Sequence, residues 1–209
     1  GKHYMERYGK VISSFVRYQY LPHIGLTAVF VLAAGAVLSF SNLDQSGAAR
    51  VMEMYAVLGG ILLLVPLFLP EADVEVWQLE QSKAMSMWKL YLGRVAVAVL
   101  LLAVVVGIFV LRLYLGNSEF DEMVLGRGAY CEALFLGSMG FFVAAVTNQA
   151  VLGYMVSVLY FLANIGVAKR LWKFGLYPIL RGDTTTWSWL LGAAAAFIAA
   201  GIWLRERKR

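Results

Sequence analysis

Cysteine is nearly absent: Cys131 stands alone in 209 residues, so no disulfide can form within the chain and cysteine usage says nothing of its redox compartment. Histidine is as scarce, and with only His3 and His23 a Cys/His metal centre has too few ligands. The phosphate-cradling pattern Gly-x-x-x-x-Gly-Lys-Ser/Thr does not occur, so any ATP this protein uses is hydrolysed on another chain. Charge is thin, at 15% of residues against 61% hydrophobic, with a mean hydropathy of +0.71, outside the balance of a soluble domain. The alternating pattern of a membrane barrel is missing too. The formal charge of +5 does not point to nucleic acid, because in so apolar a chain basic residues mark cytoplasmic flanks and anionic lipid contacts.

What is present is a series of apolar runs near the roughly 20 residues that a helix needs to cross about 30 Å of hydrocarbon. They predict an all-α membrane protein of one domain, 1–209, with six spans: Leu21 to Phe40, Val51 to Leu69, Leu90 to Leu115, Ala129 to Val146, Ala150 to Val167 and Trp187 to Leu204. Thr147, Asn148 and Gln149 alone separate the fourth from the fifth, which forces an antiparallel hairpin. A secretory leader cleaved after Ala34-Gly35-Ala36 would need an unusually long charged region before it.

Residues 1–20 read as an amphipathic helix. Arg7, Lys10, Ser14 and Arg17 share one face, and Tyr4, Tyr8, Val11, Ile12 and Phe15 the other, as three- and four-residue steps dictate. The expectation is an interfacial helix with its basic face on membrane lipid headgroups, set off from span one by Pro22. The alternative is a solvated helix packed on the protein.

Six spans put both termini on one side. Eleven of the eighteen lysines and arginines then fall on that side and seven on the other, which orients the termini to the cytoplasm of a cell-membrane protein. The segment 168–186, with Lys169, Arg170, Lys173 and Arg181, is a basic outer connection that a re-entrant path would explain. Within the spans, Arg112 and Glu132 are expected at similar depth as an ion pair, with a transport-path role for Glu132 as the sharper alternative. Ser138, between glycines in Gly137-Ser-Met-Gly140, is read as close helix packing rather than a nucleophile, since no base lies near it in the chain.

Most of the central charge sits between spans two and three, in Glu71 to Arg94. Trp77 and Trp88 are eleven residues apart and would share a face of a continuous helix. Ser86 can instead cap the start of span three, with Lys89 and Arg94 at the cytoplasmic interface, giving two helices with a corner at Ala84 to Ser86. Tryptophans at membrane boundaries are common, so anchoring to the interface competes with docking of a partner.

Within this segment, Leu79, Glu80, Ser82, Ser86, Leu90, Gly93 and Arg94 follow in order the pattern Glu-Leu-Leu, Ser-x-Pro-x-Ser-Arg, Leu-x-x-Gly-Lys. Ala84 stands where proline is common, and Met87 where arginine is. Together with the order of elements along most of the chain, this resembles the type-2 family of ATP-binding-cassette (ABC) exporter permeases. The resemblance implies that residues 71–88 are a cytoplasmic coupling helix inserted into a cleft of a separate nucleotide-binding ATPase subunit. Glu71, Glu75, Trp77, Leu79, Glu80, Lys83, Met85 and Trp88 would make that contact. It also implies a second permease copy or paralogue, ATP and Mg²⁺ held by the ATPase and not by this chain, and export of a substrate the sequence does not select. Two other functions compete: a membrane assembly or sensory subunit holding a soluble partner, and an intramembrane enzyme, for which the spans carry no convincing catalytic cluster.

Overall fold

The computed structural model describes residues 2–37, 41–68, 86–167 and 187–207, and these are helical apart from short turns. In chain order the helices are α1 (Lys2–Phe15), α2 (Leu21–Val37), α3 (Gln45–Val51), α4 (Leu58–Leu64), α5 (Met87–Leu115), α6 (Glu122–Thr147), α7 (Ala150–Val167) and α8 (Trp187–Arg207). Five stretches are long and apolar enough to cross a membrane: Met5–Ala36, Gly47–Leu67, Met87–Leu115, Glu122–Thr147 and Trp187–Arg207. The remaining expected span corresponds to α7, whose apolar stretch Ala150–Asn164 is shorter.

The first difference from the sequence reading is at Pro22. The chain stays helical from α1 into α2 through a π turn at Val16–Tyr20. A wide turn immediately ahead of a proline relieves the clash and the missing N–H that would break a regular helix. The apolar face of α1 is covered by protein. Tyr8, Val11 and Ile12 are half-buried and Phe15 buried, whereas Arg7, Lys10, Ser14 and Arg17 are exposed. Sequence separations of 78 residues at Tyr8–Ser86 and 81 at Val31–Arg112 show that the first helical run and α5 rise side by side in the same direction.

The helix starts also differ, for a common reason. Asp44 caps α3 by accepting from the Gly47 N–H, so the helical run begins six residues before the expected Val51. Asp121 accepts from the N–H groups of Met123 and Val124, with Glu122 in the first turn, and α6 begins seven residues before Ala129. Carboxylates at these positions satisfy orphan N–H groups and oppose the helix dipole. Hydropathy marks the apolar part of a helix, and the caps lie outside it. The hairpin turn is as read: α6 ends at Thr147, Asn148 is left-handed (φ 59°), and α7 starts at Ala150.

Gly47–Leu67 and α6 form the centre, 71% and 72% buried within the protein against 17–39% for the other long helices. Their contact is made by backbone. A Cβ on Gly60 would collide with the carbonyl of Ala133, and one on Gly137 with the carbonyl of Gly60. The same device joins α6 to α7 at Gly140 and Gly153, where the Ser157 hydroxyl also donates to the Leu136 carbonyl at 2.8 Å. α8 lies along α6 through Phe197, whose ring is 6.0 Å from Phe135 and 5.5 Å from Phe142, and through Gly201 against Phe141.

Replacing Gly60 by leucine is expected to cost about 1–3 kcal/mol or more by overpacking a backbone contact. Among the described residues a Cβ on Gly107 would meet nothing beyond its own helix, and Gly107→Leu should change stability by no more than about 0.5 kcal/mol. Melting of both variants in detergent checks the pair; equal losses would deny the close approach its role.

Candidate partner-docking region

The residues singled out for docking divide sharply. Glu71, Glu75, Trp77, Leu79, Glu80, Lys83 and Met85 lie outside the described residues. Trp88 is described, in the first turn of α5, with an exposed ring and the Lys89 ammonium 5.5 Å from its centroid. Ser86 is extended (ψ 114°) and stands at the cap position of α5, but its side chain makes no capping bond. A helix therefore starts here, and Trp88 belongs to α5.

The frame around the segment is well defined. At its near end, Pro66 sits in a tightened 3-10 turn, Val65–Phe68, and the Leu67 carbonyl accepts from Arg94 Nη1 at 3.3 Å. At its far end the Ser86 N–H donates to the Tyr8 hydroxyl at 3.0 Å. Between these, Ile12 presses on Gly93, where a Cβ would collide with it, and the Arg94 guanidinium stacks 4.3 Å from the Phe15 ring centroid. Tyr8, Ile12 and Phe15 follow at four- and three-residue steps, so one face of α1 makes every contact.

Arg94 was expected at the cytoplasmic interface. It is instead only 1% exposed, held by a carbonyl, by Phe15 and by Tyr91 at 5.7 Å. No motif announces this: the signal available was an arginine one turn inside an apolar helix, where it is costly unless bonded.

Aromatic rings mark two levels of the bundle. Trp88 with Lys89, and Trp203 with Arg207 at 4.1 Å, lie at one end. Trp187, with Arg127 5.5 Å from its centroid, lies at the other. The start of α1, Leu67, Ser86, the 147–149 turn and the end of α8 all sit at the Trp88 end.

At the opposite end, Arg112 is in the last turn of α5, while Glu132 is fully buried ten residues into α6. The early start of α6 places Glu132 about 15 Å from its helix end and Arg112 about 5 Å from its own, so the similar depth expected for them does not hold along the helix axes. Arg112 Nη1 donates to the Val31 carbonyl at 3.2 Å and its guanidinium packs on Gly35. Ser138 is buried and its hydroxyl donates to the Phe135 carbonyl of its own helix at 2.8 Å, with Gly137 and Gly140 at close contacts on either side.

Comparison of the chain with known protein families, with curated proteins and with solved structures gives no match. Function is therefore read from the geometry and from the sequence resemblance.

The charge pair proposed for Arg112 and Glu132 has a direct test. A double-mutant cycle of Glu132→Gln and Arg112→Gln in detergent is expected to show a coupling above about 0.5 kcal/mol. Additive losses would show that the two do not support each other.

Proposed function

We propose that this chain is the membrane-spanning subunit of an ATP-driven ABC exporter, with six spans and cytoplasmic termini. It forms the translocation path with a second copy or paralogue. Its 71–88 segment docks on a separate ATPase subunit, which holds ATP and Mg²⁺. The observation that supports this reading is the frame around a charged, tryptophan-bearing stretch of sequence: Leu67 before it and Ser86 within its last residues are both bonded into the bundle, at the end where the start of α1 and the end of α8 lie. A loop that only connected two spans would need no such fixing. The sequence resemblance supplies the kind of partner. A hydrolase reading gains nothing from Ser138, whose proton is engaged by its own helix.

Aromatic anchors at such contacts are typically worth about 2 kcal/mol or more. Trp77→Ala and Glu80→Lys should release the ATPase, or uncouple its turnover from transport, while the chain alone melts as before. Retained binding and coupled transport in both variants would sink the docking role, and loss of folding would favour a membrane anchor. Recovery of a different soluble protein in place of an ATPase would instead make the chain an assembly or sensory subunit.

Orientation has its own test. In a Cys131→Ser parent, a cysteine at position 119 should react with an impermeant reagent added to intact cells, and one at position 80 should not. The reverse pattern would overturn the topology.

A further inference from the structure

We propose that Arg17 binds the phosphate of an anionic phospholipid, drawn inward along the outer side of the first helical run. The inference stands apart from the docking reading and needs only that the bundle spans a bilayer. Its ground is depth. The first run and α5 keep step along their length, with a sequence offset of 78 residues at Tyr8–Ser86 and 81 at Val31–Arg112. Arg17 is therefore level with Val95 to Ala98 of α5. At 1.5 Å per residue this is about 10–15 Å inward from Trp88, whose ring marks this end of the bundle together with Trp203, as tryptophans mark membrane interfaces. The basic face of α1 thus does not lie flat on headgroups. It stands upright, and Arg7, Lys10 and Arg17 climb it from the tryptophan level into the apolar layer.

Arg94 lies near the same depth and is satisfied from within, by the Leu67 carbonyl and the Phe15 ring. Arg17 is not. Two residues past Phe15 a helix has turned through about 200°, so Arg17 faces away from α5, and it is exposed. Among the described residues the partner of its guanidinium is the Tyr18 ring at 5.6 Å, and no carboxylate pairs with it. A cation at such a depth is costly until an acceptor reaches it, and the bilayer holds one. A long side chain carries its charged head toward the interface, where a phosphate offers the paired oxygens that a guanidinium fork matches. The π turn at Val16–Tyr20 leaves Arg17, Tyr18 and Gln19 exposed in succession, which gives a headgroup room to approach. Lys10 and Arg7 add attraction nearer the boundary. A zwitterionic headgroup would bring its own cation beside them, so the charge pattern selects a lipid of net negative charge.

Native mass spectrometry of the full chain in detergent, titrated with dioleoyl phosphatidylglycerol and separately with dioleoyl phosphatidylcholine, tests this in Arg17→Gln, Arg17→Lys and Arg7→Gln. The unaltered chain is expected to hold phosphatidylglycerol about tenfold more tightly than phosphatidylcholine. Arg17→Gln should lose about tenfold in phosphatidylglycerol affinity, as for a lost hydrogen-bonded charge. Arg7→Gln, on the same face but nearer the boundary, should lose no more than about twofold, because its charge is screened. Arg17→Lys keeps the charge without the fork and should lose about threefold, which decides the matter if Arg17→Gln does not fold. Equal affinity for the two lipids, or equal losses at positions 7 and 17, would reduce the effect to diffuse surface charge and overturn the proposal. Unchanged affinity in the Arg17 variants would do the same. So would glycerol phosphate competing as well as the intact lipid, since the site would then be one for soluble phosphates.

Discussion

In hydrocarbon, apolar side chains gain little by leaving lipid for one another, so helices associate through close van der Waals contact and a few polar bonds. The backbone contact of Gly60 with Ala133 and Gly137 meets that constraint at the centre of this protein. Everything else is arranged on it. Because the second span and α6 touch without intervening side chains, α7 and α8 can be laid along the remaining faces of α6 through Gly153, Ser157 and Gly201. The large rings of Phe135, Phe141 and Phe197 fill the wider gaps. Large apolar side chains on the outside of the bundle, such as Leu100, Val104, Leu159 and Trp203, are exposed, as the surface of a helical membrane protein permits.

The sequence pattern revealed the helical class, the positions of the apolar runs and the three-residue turn at 147–149, because hydropathy and chain length are sums over many residues and tolerate local detail. It missed what single residues decide. Asp44 and Asp121 start helices inside segments whose average looked like loop. Pro22 was given a break that a π turn absorbs instead. In both cases a local hydrogen-bonding solution outweighed a composition signal.

The candidate site was legible as a location but not as a mechanism. Charge and tryptophan content drew attention to 71–88, and the basic residues oriented it. The bonds at Leu67 and Ser86 could not be seen, since Tyr8–Ser86 and Arg94–Leu67 join residues 78 and 27 positions apart and depend on which face of α1 meets α5. Arg94 looked like one more interfacial cation. Its burial follows from packing between three helices, a property of the assembled bundle.

The far end of the bundle is stitched across. Asn42, left-handed at φ 54°, gives its N–H to the Gly116 carbonyl at 2.8 Å, Glu119 returns one to Leu43 at 2.7 Å, and the Leu43 N–H reaches the Ser118 hydroxyl. Two helical hairpins, α2 with α3–α4 and α5 with α6, are thereby pinned together at their tips like the blades of a pair of tongs. With α5 about 43 Å long, a small angular change at this pivot grows into its greatest displacement at the opposite end, where Leu67 and Ser86 flank the charged segment. Any tilt of the two hairpins is therefore largest at that end.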